Sequence, residues 1–207
     1  MKNIWDISPP VDEQAPVFPG DTAYSQRLHF NLGPDCPVNV SAITLSPHTG
    51  AHADAPLHYA AAGEAIGALG LHPYLGPCRV IHCLDSVALV QIHHIAHAMG
   101  NLPQRVLIRT ARVASQDWAS FTALAPETIE FLATKNVVLI GIDTPSVDPA
   151  TSQGLPSHQQ LLHHHLRVLE NLVLDEVPEG DYELIALPLK LMRCDASPVR
   201  AILRALP

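Results

Sequence analysis

Eleven residues in the first third of the chain carry three histidines and one aspartate, which limits both their conformation and their chemistry. The segment is His48-Thr49-Gly50-Ala51-His52-Ala53-Asp54-Ala55-Pro56-Leu57-His58, too rich in Gly, Pro and Ala to be a helix face. In an extended chain His52 and Asp54 share a face, with His58 as a further candidate, and Gly50 allows a turn that brings in His48. Imidazole nitrogen and carboxylate oxygen bind zinc- or manganese-type divalent metals. The segment therefore predicts a metal site; the alternative is a loop of capping and surface histidines.

Composition predicts one folded domain over residues 1–207. Hydrophobic residues make up 47% of the chain and charged residues 15%, which is typical of globular proteins with a packed core. The net charge of −8, from 12 basic and 20 acidic residues, argues against nucleic acid as a partner. The longest apolar run, residues 137–142, is far shorter than the roughly 20 residues that span a bilayer, so no membrane partner is expected.

Two further features predict a cytoplasmic protein. Residues 1–6 contain no apolar stretch typical of an export signal. The four cysteines show no paired Cys-x-x-Cys spacing and are expected to be reduced, buried thiols.

Strand-like segments outnumber helical ones, which predicts a mixed α/β fold: a mixed β-sheet core with flanking helices. Strands are predicted at residues 38–45, 79–84, 105–109, 136–142, 171–174 and 182–187. Helices are predicted at 91–99, from 126, from 158 with Ser157 as its cap, and from 198 with Ser197 as its cap. Several of the strands are almost continuous apolar runs, as expected of strands buried on both faces.

Other polar residues extend the list of candidates. Residues 143–148 (Asp-Thr-Pro-Ser-Val-Asp) follow an apolar strand directly, which fits either an active-site edge or a capped turn. His158 and Glu170 could bind one metal only if the helix ends between them, because a continuous helix would separate their Cα atoms by roughly 18 Å. Three consecutive histidines at 163–165 point in different directions on a helix and are expected to be mostly solvated. Phe18 lies in a rigid Pro-rich loop and is either a core residue or a wall of a ligand pocket.

The segment from His48 to His58 closely resembles the His-x-Gly-Thr-His-x-Asp-x-Pro-x-His signature of the cyclase-like metal-dependent hydrolases. The resemblance extends over essentially the whole chain. Within this superfamily, the chain resembles the bacterial kynurenine formamidases (arylformamidases) in particular. It also rests on residues 19–21 (Pro-Gly-Asp), 143–148, 169–174 (Leu-Glu-Asn-Leu-Val-Leu), 180–191 and 195–200.

The resemblance implies a swivelling β/β/α-type fold, a homodimer and a small-molecule substrate. It implies two divalent metal ions per subunit, most often Zn²⁺, with Mn²⁺ or Co²⁺ also accepted. The implied reaction is the hydrolysis of N-formyl-L-kynurenine to L-kynurenine and formate in tryptophan degradation. The implied roles are first-metal ligands His48, His52 and Asp54; second-metal ligands Asp54, His158 and Glu170, with Asp54 and Glu170 bridging; acid/base His58; and substrate-stacking Phe18.

Two positions depart from the family pattern. Ala51 stands where the family usually has Thr, and Phe18 stands where members often have Trp, so both are expected to tune substrate affinity. Asp143, Ser146 and Asp148 are candidates for binding the amino-acid end of the substrate. Two alternative functions stay open: hydrolysis of a cyclic amide such as isatin on the same scaffold, and a non-catalytic metal-binding module.

Overall fold

One nine-stranded mixed sheet contains most of the apolar segments of the chain. In the computed structural model, which describes residues 4–85, 88–115 and 117–206, the strand order is β1-β13-β11-β5-β7-β9-β10-β4-β12. Strands β5, β7, β9 and β10 run parallel, and the other pairs in this sheet are antiparallel. The mixed α/β fold expected from the sequence is confirmed.

The elements have the following bounds. The strands are β1 (Ile4–Asp6), β2 (Ser25–Phe30), β3 (Val40–Thr44), β4 (His52–Asp54), β5 (Leu75–His82), β6 (Leu89–Val90), β7 (Arg105–Arg109), β8 (Ala123–Leu124), β9 (Leu139–Ile142), β10 (Arg167–Glu170), β11 (Gly180–Ile185), β12 (Ala196–Pro198) and β13 (Ile202–Arg204). The helices are α1 (Pro56–Tyr59), α2 (Ile92–Ile95), α3 (Pro126–Thr134) and α4 (Pro156–His163), with 3₁₀ turns at Ile66–Ala68, His72–Tyr74 and Ala96–Ala98.

The central parallel strands are buried on both faces. Every residue of β7 and β9 is buried, and alternate side chains along them belong to two different apolar clusters. Leu107 packs in one cluster, whereas its neighbours Val106 and Ile108 pack in the other, together with Ile129 of α3 and Leu161 of α4. This explains why these segments are continuous apolar runs rather than alternating ones.

Three sequence-based assignments were wrong, each because tertiary pairing or backbone geometry overrides local pattern. The strand predicted at 171–174 is instead Arg167–Glu170, and it ends where Asn171 adopts a left-handed φ of 57°. The helix predicted from 198 is replaced by β12 and β13, which pair with β4 and with β1 and β11. Ser157 does not cap α4: it lies inside the helix, and its hydroxyl donates to the Leu124 carbonyl.

A two-stranded hairpin, β2–β3, stands outside the main sheet. Its strands pair with each other, and nearly every residue in them is exposed. In the part of the chain that the structure describes, no helix is both long and apolar enough to cross a membrane.

Gly63 lets the loop after α1 approach the start of that helix closely. A Cβ at this position would lie 2.2 Å from the Pro56 carbonyl carbon and 2.5 Å from the Leu57 nitrogen, both backbone atoms. We expect Gly63→Ala to destabilise the protein by about 1–3 kcal/mol because backbone must move to accommodate it. Urea unfolding checks this, with Gly70→Ala as control, since a Cβ at Gly70 meets nothing within 4 Å. Equal midpoints for the two variants would contradict the packing described.

Candidate metal centre and active site

Five acidic and histidine side chains predicted as metal ligands converge at the end of β4. The Nε2 atom of His52 lies 3.3 Å from Glu170 Oε2 and 3.5 Å from Asp54 Oδ1. The Nε2 atom of His158 lies 3.4 Å from Asp54 Oδ2 and 3.6 Å from Glu170 Oε1, and His48 Nδ1 lies 3.0 Å from Asp54 Oδ1. The structure therefore brings together two segments more than a hundred residues apart in sequence, one with His48, His52 and Asp54, the other with His158 and Glu170.

The sheet and its connections account for this convergence. His52 pairs directly with Glu170 across the antiparallel β4–β10 contact, and Asp54 points to the same face as His52 because it is two residues on. Helix α4 connects the parallel strands β9 and β10 and follows the carboxyl end of β9. His158, in the first turn of α4, therefore lies at the same end of the sheet as Glu170, the last residue of β10. Gly50, with a φ of 66°, makes the turn that brings His48 back beside Asp54.

The buried atoms at the centre of the cluster fit a cation. Among the described residues, neither carboxylate oxygen of Asp54 nor Nε2 of His158 has a hydrogen-bond partner, although all three atoms are buried. The neighbouring ring nitrogens are close, but the contacts lack hydrogen-bond geometry. Leaving such groups buried and unpaired costs about 1–3 kcal/mol each. A divalent metal bound by oxygen and nitrogen atoms would satisfy them, and both atom types are suitable ligands.

Hydrogen bonds behind the ligands aim their free atoms at the centre. Nδ1 of His52 lies 2.8 Å from the Gly50 carbonyl, which can only accept, so Nδ1 carries the proton and Nε2 is free for a metal. His158 Nδ1 donates likewise to Asp148 Oδ2 at 2.7 Å. The Val147 amide donates to Glu170 Oε1 at 2.8 Å. Such supporting bonds are typical of metal sites.

Asp148 has a different place from the one suggested by the sequence. Its two oxygens accept from the Ser157 and His158 amides as well as from the His158 ring, and the side chain is 1% exposed. Asp143 is also buried, accepts from the Thr110 amide and hydroxyl, and does not line the cavity that opens onto the cluster, which is described below. Of the three candidates for the amino-acid end of the substrate, Ser146 and Asp148 line the cavity.

Charge in the cluster is strongly interdependent. Burial lowers the pKa values of His48 and His158, but nearby carboxylates outweigh this effect and raise both pKa values to about 10. The carboxylates are Asp195 and Asp54 around His48, and Asp148, Asp54 and Glu170 around His158. Burial raises the pKa of Asp54, yet the imidazoles of His158 and His48 bring it well below its usual range. Because metal ligands must be unprotonated, a cation entering this cluster releases protons, and its affinity increases with pH.

His58 lies at the rim of the cluster, on α1, with 33% of its side chain exposed. Its ring centroid is 4.3 Å from that of His48, and its Nδ1 lies 3.2 Å from Asp195 Oδ2. Two sets of three residues each place their possible ligand atoms within 4.8 Å of one another. One set is His48, Asp54 and His58, and the other is His52, Asp54 and Glu170. His58 is thus close enough to the cluster to serve as a ligand or as a proton carrier.

A cavity of about 280 Å³ opens onto the cluster. Its mouth carries Phe18, 46% exposed, and Trp118, whose rings meet edge to face with centroids 5.1 Å apart. Phe18 is therefore a wall of the cavity and not a core residue. Sequence reasoning missed Trp118, Asp148 as a support for His158, and Asp195, because none of them belongs to a recognisable metal-binding spacing.

Comparison with known proteins shows the family. Residues 5–149 match the family described as "Putative cyclase". The chain is 79% identical over 203 residues to the kynurenine formamidase of Polaromonas naphthalenivorans strain CJ2, covering 98% of this chain and 91% of that protein. The chain belongs to the kynurenine formamidase branch of the cyclase family.

Solved structures of other proteins share the fold of this chain. A protein described as a potential metal-dependent hydrolase with cyclase activity superposes with a TM-score of 0.83 at 26% identity, covering all of both chains. An isatin hydrolase bound to thioisatinate superposes with a TM-score of 0.83 at 23% identity, covering 99% of this chain and 92% of that one, which shows the fold alone. The relatives and the cluster together support a divalent metal in this chain.

Asp148→Asn tests the support behind His158. Both Asp148 oxygens accept hydrogen bonds, so the NH₂ group of an asparagine would face a backbone or ring N–H, which is also a donor. His158 would then lose its fixed orientation. We expect metal affinity to fall about 10–100-fold. Competition with a chromophoric chelator measures it, and Glu176→Gln, an exposed carboxylate outside the cavity, is the control. Unchanged affinity in Asp148→Asn would show that Asp148 does not support a ligand.

Proposed function

We propose that this protein hydrolyses N-formyl-L-kynurenine to L-kynurenine and formate. The observation that carries the proposal is the buried carboxylate of Asp54, which has no hydrogen-bond partner among the described residues. It lies among three histidines and Glu170 in a chain 79% identical to a kynurenine formamidase. The aromatic mouth of the cavity and its small volume suit a substrate that joins an aryl ring to a one-carbon acyl group. The pathway assignment, tryptophan degradation in the cytoplasm, follows from the same proposal.

Two divalent ions per subunit, most readily Zn²⁺ with Mn²⁺ or Co²⁺ as alternatives, are proposed for the cluster. His48, His52 and Asp54 would hold one ion, and Asp54, His158 and Glu170 the other. Asp54 would contribute to both sets: neither of its oxygens has a hydrogen-bond partner among the described residues, and one faces His48 and His52 while the other faces His158. Glu170 likewise directs one oxygen to each side, since Oε2 lies near His52 and Oε1 near His158.

Bound metal ions supply Lewis acidity, which polarises the formyl carbonyl and lowers the pKa of a water molecule. His58 would take a proton from the attacking water and would give it to the aryl nitrogen as the C–N bond breaks. Its position at the rim, partly exposed and beside His48, is suited to both transfers. Phe18 and Trp118 would hold the aryl ring at the mouth, so that the formyl group enters toward Asp54.

Metal removal with a substrate comparison tests the reaction. Treatment with a strong chelator should abolish N-formylkynurenine hydrolysis, and added Zn²⁺ or Mn²⁺ should restore it, as followed by the absorbance change. We expect kcat/KM for isatin to be much lower, because the cavity is proposed to fit a linear formamide. Full activity in metal-free protein would reject the metal mechanism. A preference for isatin would favour the cyclic-amide alternative, and bound metal without any hydrolysis would favour the non-catalytic one.

His58→Ala separates a proton carrier from a ligand. Loss of general acid/base catalysis should lower kcat by roughly 10²–10⁴-fold while the metal content stays at the wild-type value. Metal analysis and kinetics are done on the same samples, with His52→Ala as the comparison that should lose metal and activity together. A parallel loss of metal in His58→Ala would assign His58 to the ligands.

A homodimer is also proposed, with the β2–β3 hairpin as part of the contact. The hairpin and its connection expose the large apolar side chains Leu28, Phe30, Leu32, Val38, Val40 and Ile43. An isolated two-stranded hairpin is marginally stable in water, and contiguous exposed apolar side chains typically mark interfaces. A second copy of the chain would cover them.

Light scattering after gel filtration tests the homodimer. We expect a mass of about twice 22.4 kDa for the wild type and a shift toward one chain mass for Phe30→Glu. Val113→Glu, at a position 74% exposed and outside the hairpin, is the matched control and should leave the mass unchanged. A monomeric wild-type protein would contradict the proposal.

A further inference from the structure

Asp195 contacts two imidazoles with a single oxygen atom. Its Oδ2 lies 3.0 Å from His48 Nε2 and 3.2 Å from His58 Nδ1. These two histidines stand on different elements, a turn before β4 and helix α1, and have different proposed roles. One carboxylate oxygen therefore links a proposed metal ligand to the proposed proton carrier.

The backbone fixes Asp195 at this place. Its carbonyl accepts from the Ala55 amide at 2.8 Å, and the next residue, Ala196, pairs with Asp54 in the β12–β4 ladder. The side chain is thereby tied to the strand that carries Asp54, although it lies about 140 residues away in sequence. The side chain of Asp195 is 40% exposed. Among the described residues, the side-chain partners of its carboxylate are His48 and His58.

An ionised carboxylate can only accept hydrogen bonds, which decides the tautomers of both rings. His48 must carry a proton on Nε2. In the neutral ring that a metal ligand requires, Nδ1 is then the unprotonated nitrogen, and it lies 3.0 Å from Asp54 Oδ1. His58 must carry its proton on Nδ1, so Nε2 is left as the unprotonated nitrogen. That is the arrangement each ring needs for its proposed role: a free ligand atom on one, and a free base on the other.

We propose that Asp195 is a positioning residue that orients His48 for the metal and His58 for proton transfer at the same time. The inference rests on the proposed function for the His58 half; the His48 half requires only that the cluster binds metal. Asp195 is not one of the described residues that line the cavity, so its removal is expected to act through the two rings.

The test uses Asp195→Ala and Asp195→Asn in the full-length protein, each with and without His58→Ala. Zn²⁺ affinity, measured by chelator competition, should fall about 10–100-fold in Asp195→Ala in both His58 backgrounds. At saturating Zn²⁺, kcat should fall about tenfold or more with KM nearly unchanged. Asp195→Ala should add little to the loss already caused by His58→Ala, because both act through the same ring.

Two further measurements exclude a general structural effect. Asp195→Asn keeps the size of the side chain and one accepting oxygen, so it should recover part of the Zn²⁺ affinity that Asp195→Ala loses. Long-range ¹H–¹⁵N correlation spectra of the imidazoles should show His58 protonated on Nδ1 in the wild type and shifted toward Nε2 in Asp195→Ala. Glu130→Gln, an exposed carboxylate on α3 outside the cavity, is the control and should change none of these values.

The outcomes separate this inference from the proposed function. Wild-type Zn²⁺ affinity in Asp195→Ala, an unchanged His58 tautomer, or an equal kcat loss in both His58 backgrounds would each overturn the positioning role. A wild-type protein that binds Zn²⁺ but does not hydrolyse N-formylkynurenine would instead reject the proposed function. The affinity and tautomer measurements would then still decide whether Asp195 orients the two rings.

Discussion

The carboxylate of Asp54 lies on a strand inside the main sheet, 1% exposed, with no hydrogen-bond partner among the described residues for either oxygen. A charge in that position is unfavourable unless positive charge compensates it. His48, His52 and His158 surround it, and Glu170 adds a second carboxylate. Among the described residues, these groups leave the Asp54 oxygens and His158 Nε2 without a hydrogen bond. The strand pairing, the Gly50 turn and the α4 crossover all serve to hold these atoms together. A cation at this point reconciles the buried charge with a stable fold.

Support for the cluster comes from groups outside the set of predicted ligands. Asp148, the Val147 amide, the Gly50 carbonyl and Asp195 each fix one ligand or its neighbour through a hydrogen bond. Their positions depend on loops at the ends of strands, which a rigid sheet holds in place. Precision at the centre is therefore a property of the sheet edges as much as of the ligands themselves.

Much of the candidate site could be predicted from the sequence because His48, His52, Asp54 and His58 are close together along the chain. The condition set for His158 and Glu170, that a helix must end between them, is met by α4 and β10. The buried parallel strands were also predictable, since two buried faces require continuous apolar runs. The left-handed residue Asn171 and the pairing of β12 and β13 could not be predicted, because both depend on long-range contacts rather than on local pattern.

The most direct test of the shared carboxylate is diffraction from Zn²⁺-loaded crystals, recorded on both sides of the zinc absorption edge. Two anomalous peaks should lie in the cluster, each about 2.0–2.2 Å from a different oxygen of Asp54. Peaks only outside the cluster, or a single peak that does not touch Asp54, would contradict the account.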